Sequence, residues 1–218
     1  MRIRKKKWAQ PELDACSFFV NNPKEQRGNW AGFFSKNQPI ELEVGCGKGT
    51  FVAEKALHNP EVNFIAMDIK SDMLGVGRRN IVKRFEEAGR EVDNIALVAY
   101  NVDRIFEVIS EDDKIDKIYI NFCNPWPRGK HNKRRLTHPT KLELYKGFLK
   151  NGGEIHFKTD NDELFEDSLE YFETSGYKLI KVVRDLHNSD IKNNIVTEHE
   201  KMFSDEGILI KYLVAVLP

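Results

Sequence analysis

The chain has 218 residues, with 34 Lys plus Arg against 34 Asp plus Glu, so its formal net charge is zero; 40% of it is hydrophobic. That composition excludes global disorder and a uniformly basic, histone-like nucleic-acid binder, but not a local basic patch. Cys16, Cys46 and Cys123 are scattered and form no CxxC pair, which argues against a zinc ribbon or a disulfide framework, so no metal is expected. No apolar run approaches the ~20 residues a membrane span needs. The basic start Met1–Trp8 has no apolar stretch behind it, so export is not expected and the cytoplasm is the expected compartment.

Residues 1–35 show no sustained period and read as an irregular basic and aromatic arm, packed through Trp8, Phe18, Phe19, Trp30, Phe33 and Phe34. Residues 36–218 read as a single domain. Ile40–Val44 is a predicted buried strand and Gly49–His58 a helix. Phe64–Asp68 is a strand, Ser71–Ala88 a long helix, Ile95–Tyr100 a strand and Ile105–Ile109 a short helix. Ile115–Phe122 is a fourth strand, followed by a basic loop over Asn124–His138. Thr140–Leu149 is a helix stopped by Asn151-Gly152-Gly153. Then come a strand at Glu154–Thr159, a helix at Asp162–Ser175 and a strand at Tyr177–Val183. A polar, partly helical loop covers His187–Phe203, and a last strand Ile208–Val216. The alternation predicts an α/β, Rossmann-like doubly wound sheet of about seven strands, with helices on both faces. The last two strands lack a helical crossover, so one antiparallel strand is expected.

The turn Gly45-Cys46-Gly47-Lys48-Gly49-Thr50 follows the first strand and opens a helix. Alternate glycines allow a tight turn and a close ligand. A P-loop needs Lys directly before Ser or Thr, and Gly49 intervenes. A dinucleotide fingerprint needs a third glycine where Thr50 stands. The GxGxG form with Glu43 before it suits a ligand without a pyrophosphate, namely S-adenosylmethionine, whose ammonium a carboxylate can meet. Asp68, at the end of the second strand, can accept both ribose hydroxyl protons. Asn101, past the third, can hydrogen-bond an adenine edge. Each residue alone is more often structural; the three strand ends together are not.

The segment Asn124-Pro125-Trp126-Pro127 is stiffened by its prolines. It is expected to leave the ligand-binding edge of the sheet with Asn124 toward the cofactor's methyl. Arg128, Lys130, Lys133, Arg134 and Arg135 follow within eight residues, with His131 and Asn132 among them. Five cations in a neutral chain point to a polyanion, with Trp126 available to stack on a base. His156 sits in a strand and reads as a satisfied core histidine rather than a metal ligand. Arg2, Arg4 and Lys5–Lys7 suit either a solvated arm or a contact with RNA.

The glycine turn, Asn124-Pro125-Trp126-Pro127 with its basic tail, His156-Phe157-Lys158-Thr159-Asp160-Asn161 and Thr197-Glu198-His199-Glu200 together resemble the bacterial tRNA (guanine-N7)-methyltransferase family. The resemblance runs from Met1-Arg2-Ile3-Arg4 to near the C-terminus. It implies a Rossmann-like methyltransferase sheet. It also implies methyl transfer from S-adenosylmethionine to N7 of the variable-loop guanosine of tRNA, position 46 in tRNA numbering. By the same resemblance Glu43, Gly45, Gly47, Gly49, Asp68, Asn101 and Asn124 hold the cofactor. Arg128, Asp160, Thr197, Glu198, His199 and Glu200 hold the guanosine, and Lys130, His131, Asn132, Lys133, Arg134 and Arg135 contact the RNA. Relatives occur as monomers and as homodimers.

The chain departs from the family pattern at four positions. The family usually has Asp at Asn124, often Asp at Asn101, Lys at Arg128 and commonly Tyr at His199. N7 carries a lone pair and no proton, so the reaction needs orientation and charge stabilisation rather than a general base. Asn124 keeps hydrogen-bonding capacity without the charge. Asp160 is then a second catalytic candidate, able to meet guanine N1–H or N2–H. Two other functions fit parts of the sequence. One is an amino-methyltransferase that uses Asn124-Pro125-Trp126 like an Asn-Pro-Pro-Tyr motif. The other is a tRNA-binding module with a degenerate cofactor pocket.

Overall fold

A computed structural model describes residues 5–218. Arg2 and Arg4, read above as suited to a solvated arm or an RNA contact, lie outside the described residues. The fold is α/β, with seven strands forming a mostly parallel sheet. The chain divides into two compact units, Met1–Ile109 and Ser110–Pro218.

In the first unit, β1 (Ile40–Val44), β2 (Asn63–Asp68) and β3 (Ile95–Ala99) are parallel, in the order β3-β2-β1. Leu42, Ile65, Ala66, Leu97 and Val98 are fully buried. This is the continuous apolar run expected of parallel strands covered on both faces. The register pairs Val44 with Met67 and Asp68 with Ala99, so all three strands end together at one edge. α2 (Thr50–His58) and α3 (Ser71–Glu87) supply Val52, Ala56, Leu74, Ile81 and Phe85 to the core beside Phe64 and Leu97.

The N-terminal segment carries the buried rings of Phe18, Phe19, Trp30 and Phe34 and one short helix. Ala9–Asp14 is a short helix, α1, lying along α3. Trp8 stacks under the Arg79 guanidinium at 3.6 Å, and Glu12 accepts from Arg79 Nε at 2.9 Å. The backbone N–H of Lys6 donates to Asp72 at 2.7 Å. Phe18–Val20 then bridges to Leu97, through Leu97 N to Phe18 O at 2.8 Å and Val20 N to Leu97 O at 2.9 Å. That bridge covers the outer edge of β3, which would otherwise present unpaired backbone. Trp30 is fully buried, and its Nε1 donates to Val108 O at 2.7 Å. No helical period announced this strap, because its order comes from ring burial and long-range bonds.

The second unit holds β4 (Ile115–Asn121), β5 (Leu149–Thr159), β6 (Lys178–Val183) and β7 (Lys211–Val216), in the order β4-β5-β7-β6. β4 and β5 are parallel, and β7 runs antiparallel to both β5 and β6, as the missing crossover implied. β5 starts at Leu149, five residues before the predicted strand. Gly152 and Gly153 are paired with Leu217 rather than stopping a helix. A Cβ on Gly153 would sit 2.7 Å from Lys150 O, so this irregular start of the strand needs glycine. α4 (Pro139–Lys146), α5 (Asp162–Thr174) and α6 (Glu198–Asp205) complete the unit. Among the described residues no helix is long and apolar enough to cross a membrane.

Gly75 of α3 lies directly under α1: a Cβ there would fall 2.5 Å from Ala9 Cβ. Gly75→Ala is expected to push α1 off α3 and to cost about 1–3 kcal/mol. A thermal or urea melt read by circular dichroism checks this; an unchanged midpoint would show that α1 is not packed there.

Candidate active site

The candidate cofactor half lies in the first unit. Glu43 is the penultimate residue of β1 and is buried. Gly45, Gly47 and Gly49 follow with φ of 79°, 52° and 65°, a region that favours glycine at every step of the turn. The amides of Gly45 and Cys46 both donate to Met67 O, at 2.8 and 3.0 Å. Gly47 N donates to Asp68 Oδ2 at 3.0 Å, and Lys70 N to Oδ1 at 2.9 Å. Asp68 therefore orders the glycine turn as well as ending β2, and each of its oxygens retains a second lone pair for a ligand hydroxyl. Asn101 caps the following 3-10 turn, its Oδ1 accepting from Asp103 N at 3.0 Å. A Cβ on Gly47 would meet nothing nearer than 4.0 Å, so the turn carries open space above it. A cradle of bare backbone flanked by Glu43 and Asp68 fits S-adenosylmethionine. Burial, with Glu43 and Asp68 nearby, pushes the Cys46 thiol well up, so it sits in the turn as an inert apolar group.

One residue of this half escaped the sequence reading. A Cβ on Gly77 of α3 would lie 3.2 Å from the Lys48 carbonyl carbon and 3.4 Å from Gly47 O. Gly77 lets the helix press against the turn, and Asn80, one turn later, donates to Lys48 O at 2.9 Å. The signal was a glycine inside a helical pattern, which is tolerated at a cost and usually has a packing reason.

The second unit brings together the remaining candidates. Phe122 and Trp126 have φ of 50° and 44°, so two aromatic residues in the left-handed region bracket Asn124. Asn124 is exposed, and its Oδ1 accepts from Trp126 N at 3.0 Å, which closes an Asx turn. Burial pushes the Cys123 thiol up to about 12, with a smaller contribution in the same direction from the Asp160 carboxylate. Arg134 lies over the Trp126 ring at 5.0 Å, with the His131 ring 5.9 Å away. Arg128, Lys130, Lys133 and Arg134 are exposed, while His131 and Asn132 are half-buried.

Three of the expected site residues are buried. Arg135 is fully buried and ion-paired to Glu163 and Asp167. Thr197 and Glu200 are also buried. Thr197 caps α6 by accepting from Glu200 N at 3.1 Å. Glu200 is bound by Lys158 Nζ at 2.9 Å and His187 Nε2 at 3.0 Å, and also by Asn194. Of that tetrapeptide only Glu198 and His199 reach the surface. His199 stacks on Phe122 at 6.2 Å and 18°, and Phe203 stacks on Phe122 at 6.2 Å. His156 is satisfied as the sequence implied, by Tyr212 Oη at 2.7 Å and Glu154 at 2.8 Å.

Residues 37–212 match the family model described as a putative methyltransferase. The tRNA (guanine-N(7)-)-methyltransferase of Clostridium beijerinckii is 58% identical over 216 residues, covering 99% of both chains. The protein of that name from Clostridium tetani is 49% identical and covers all of both. The chain belongs to the tRNA (guanine-N7)-methyltransferase family. Among solved structures, an antibiotic-related methyltransferase superposes with a TM-score of 0.57 at 15% identity, covering 99% of this chain and 95% of its own. A precorrin-6y C5,15-methyltransferase from Geobacter metallireducens gives 0.56, covering 82% and 80%. At that identity these show the fold alone, and the fold is that of a Rossmann-like methyltransferase.

Gly77 gives the methyltransferase a test of its cofactor half. Gly77→Ala is expected to displace the Lys48–Gly49 backbone and weaken S-adenosylmethionine binding by about tenfold, or ~1.4 kcal/mol. Titration calorimetry with S-adenosylmethionine reads it directly. Affinity equal to the parent's would mean that the turn absorbs the methyl group.

Proposed function

We propose that the chain methylates N7 of the variable-loop guanosine of tRNA, with S-adenosylmethionine as the donor. The observation that carries this reading is the 58% identity over essentially the full length of a curated tRNA (guanine-N(7)-)-methyltransferase. S-adenosylmethionine supplies the electrophilic sulfonium methyl. Glu43, Asp68, Asn101 and the glycine turn hold it, and the cytoplasm suits both a tRNA substrate and three cysteines that form no disulfide.

Guanine N7 attacks with an in-plane lone pair, so the chain's own work is to orient the base and balance its growing positive charge. With Oδ1 committed to Trp126 N–H, Asn124 offers its amide N–H, and guanine O6, beside N7, is an acceptor. The Asp160 carboxylate makes no hydrogen bond or ion pair among the described residues. It accepts from guanine N1–H and N2–H and supplies the negative charge that Asn124 lacks. His199, backed by Phe122 and Phe203, is a flat surface for the base. Arg128, Lys130, Lys133 and Arg134 meet phosphates.

The test is transfer of labelled methyl to unmodified tRNA, followed by reduction and aniline cleavage. Label with scission at the variable-loop guanosine is expected. Label without scission would mean an amino-group target, and tRNA binding without label a degenerate pocket. Asp160→Ala should lower kcat/KM about 10- to 100-fold, the size of one or two hydrogen bonds to a charged group. Full turnover and unchanged substrate affinity would remove Asp160 from the mechanism.

A further inference from the structure

The basic stretch after Trp126 divides according to where its cations end. Lys130, Lys133 and Arg134 reach solvent, and Arg135 does not. A guanidinium out of water is costly unless its donors are met. The Arg135 Nε donates to Pro125 O at 2.7 Å, Nη2 to Glu163 Oε1 at 2.8 Å and Nη1 to Asp167. Both carboxylates belong to α5 and are themselves partly exposed.

The carbonyl that Arg135 holds lies between Asn124 and Trp126. Pro125 has no N–H, so this carbonyl is the one backbone group through which that residue can be hydrogen-bonded. The turn needs such a hold. Phe122 and Trp126 have positive φ, a conformation that is costly for non-glycine residues and persists only where the surroundings impose it. Phe122 N donates to Lys158 O at 2.9 Å on one side of the turn, and Arg135 clamps the other.

We propose that Arg135 is a positioning residue: clamped by Glu163 and Asp167, it holds the Pro125 carbonyl so that Asn124 is presented in one place for methyl transfer, and it touches no phosphate. This rests on the methyl-transfer reading above. It moves Arg135 from the RNA-contacting set to the machinery that shapes the reacting end of the site.

The experiment compares kcat, KM for tRNA, and the dependence of tRNA affinity on salt. The proteins are the parent chain, Arg135→Met, Arg135→Lys and the double variant Glu163→Gln/Asp167→Asn, each shown to be folded by circular dichroism. A residue that neutralises a phosphate contributes about 0.7–0.9 to the slope of log affinity against log salt. Arg135→Met is expected to keep the parental slope and lose about tenfold in kcat. Arg135→Lys, which keeps one donor for the Pro125 carbonyl, should recover part of that loss. The double variant removes no cation, and its kcat should also fall several-fold at unchanged KM for tRNA. Arg134→Ala serves as the control whose slope falls by about one. A lowered slope in Arg135→Met, or parental kcat in the double variant, overturns the proposal. If Arg135→Met does not fold, the double variant decides alone, because its carboxylates are partly exposed. A parent chain that makes no 7-methylguanosine overturns the functional reading itself, and the positioning proposal with it.

Discussion

Between Val44 and Thr50 the backbone turns through three left-handed residues, and the whole cofactor half is arranged to permit it. Gly45, Gly47 and Gly49 can enter that region because they have no Cβ. The amides of Gly45 and Cys46 are gathered by Met67 O and that of Gly47 by the Asp68 carboxylate, both acceptors at the end of β2. Those acceptors are within reach because β1 and β2 are parallel in a register that pairs Val44 with Met67. α3 can then close on the turn because Gly77 also lacks a side chain. One steric requirement, bare backbone at a strand end, thus propagates into strand register and helix packing.

The second unit solves the opposite problem. Its Phe122–Trp126 turn is made of bulky residues in strained conformations, so it depends on buried polar groups rather than on absent side chains. Lys158 and Glu200 form an almost fully buried ion pair, joined by His187 and Asn194, which fixes the start of α6 and with it His199. Arg135 does the same for the Pro125 carbonyl. Such pairs are weak evidence for stability, since desolvation offsets much of their attraction. Their effect is geometric: each leaves the neighbouring backbone a single arrangement in which no charge is unmet.

Charge along the chain is a poorer guide to exposure than spacing is to strands. The strand ends that carry Glu43, Asp68, Asn101 and Asp160 were legible because short apolar runs bounded by turn residues locate strands well. The basic run from Arg128 to Arg135 looked uniform as a sequence and is not. Whether a cation faces water depends on what lies opposite it, and Glu163 and Asp167 come from a helix some thirty residues later. The same reason hid the burial of Glu200, whose partner Lys158 is 42 residues away. The short helix and edge bridge of the N-terminal strap were hidden for a related cause: their contacts are single rings and single backbone bonds to α3 and β3, with no period of their own.

Sequence alone therefore determined the α/β class, the one antiparallel strand, the glycine turn and the family motifs. These follow from local rules: side-chain period, the steric freedom of glycine, the stiffness of proline. The tertiary structure decided which polar residues face solvent. It turned Arg135, Thr197 and Glu200 inward, left Asn124, Arg128 and His199 at the surface, and brought Gly77 against the glycine turn. The physical reason is that the cost of burying a charge or a methyl group is set by neighbours distant in the chain, and those neighbours exist only once it has folded.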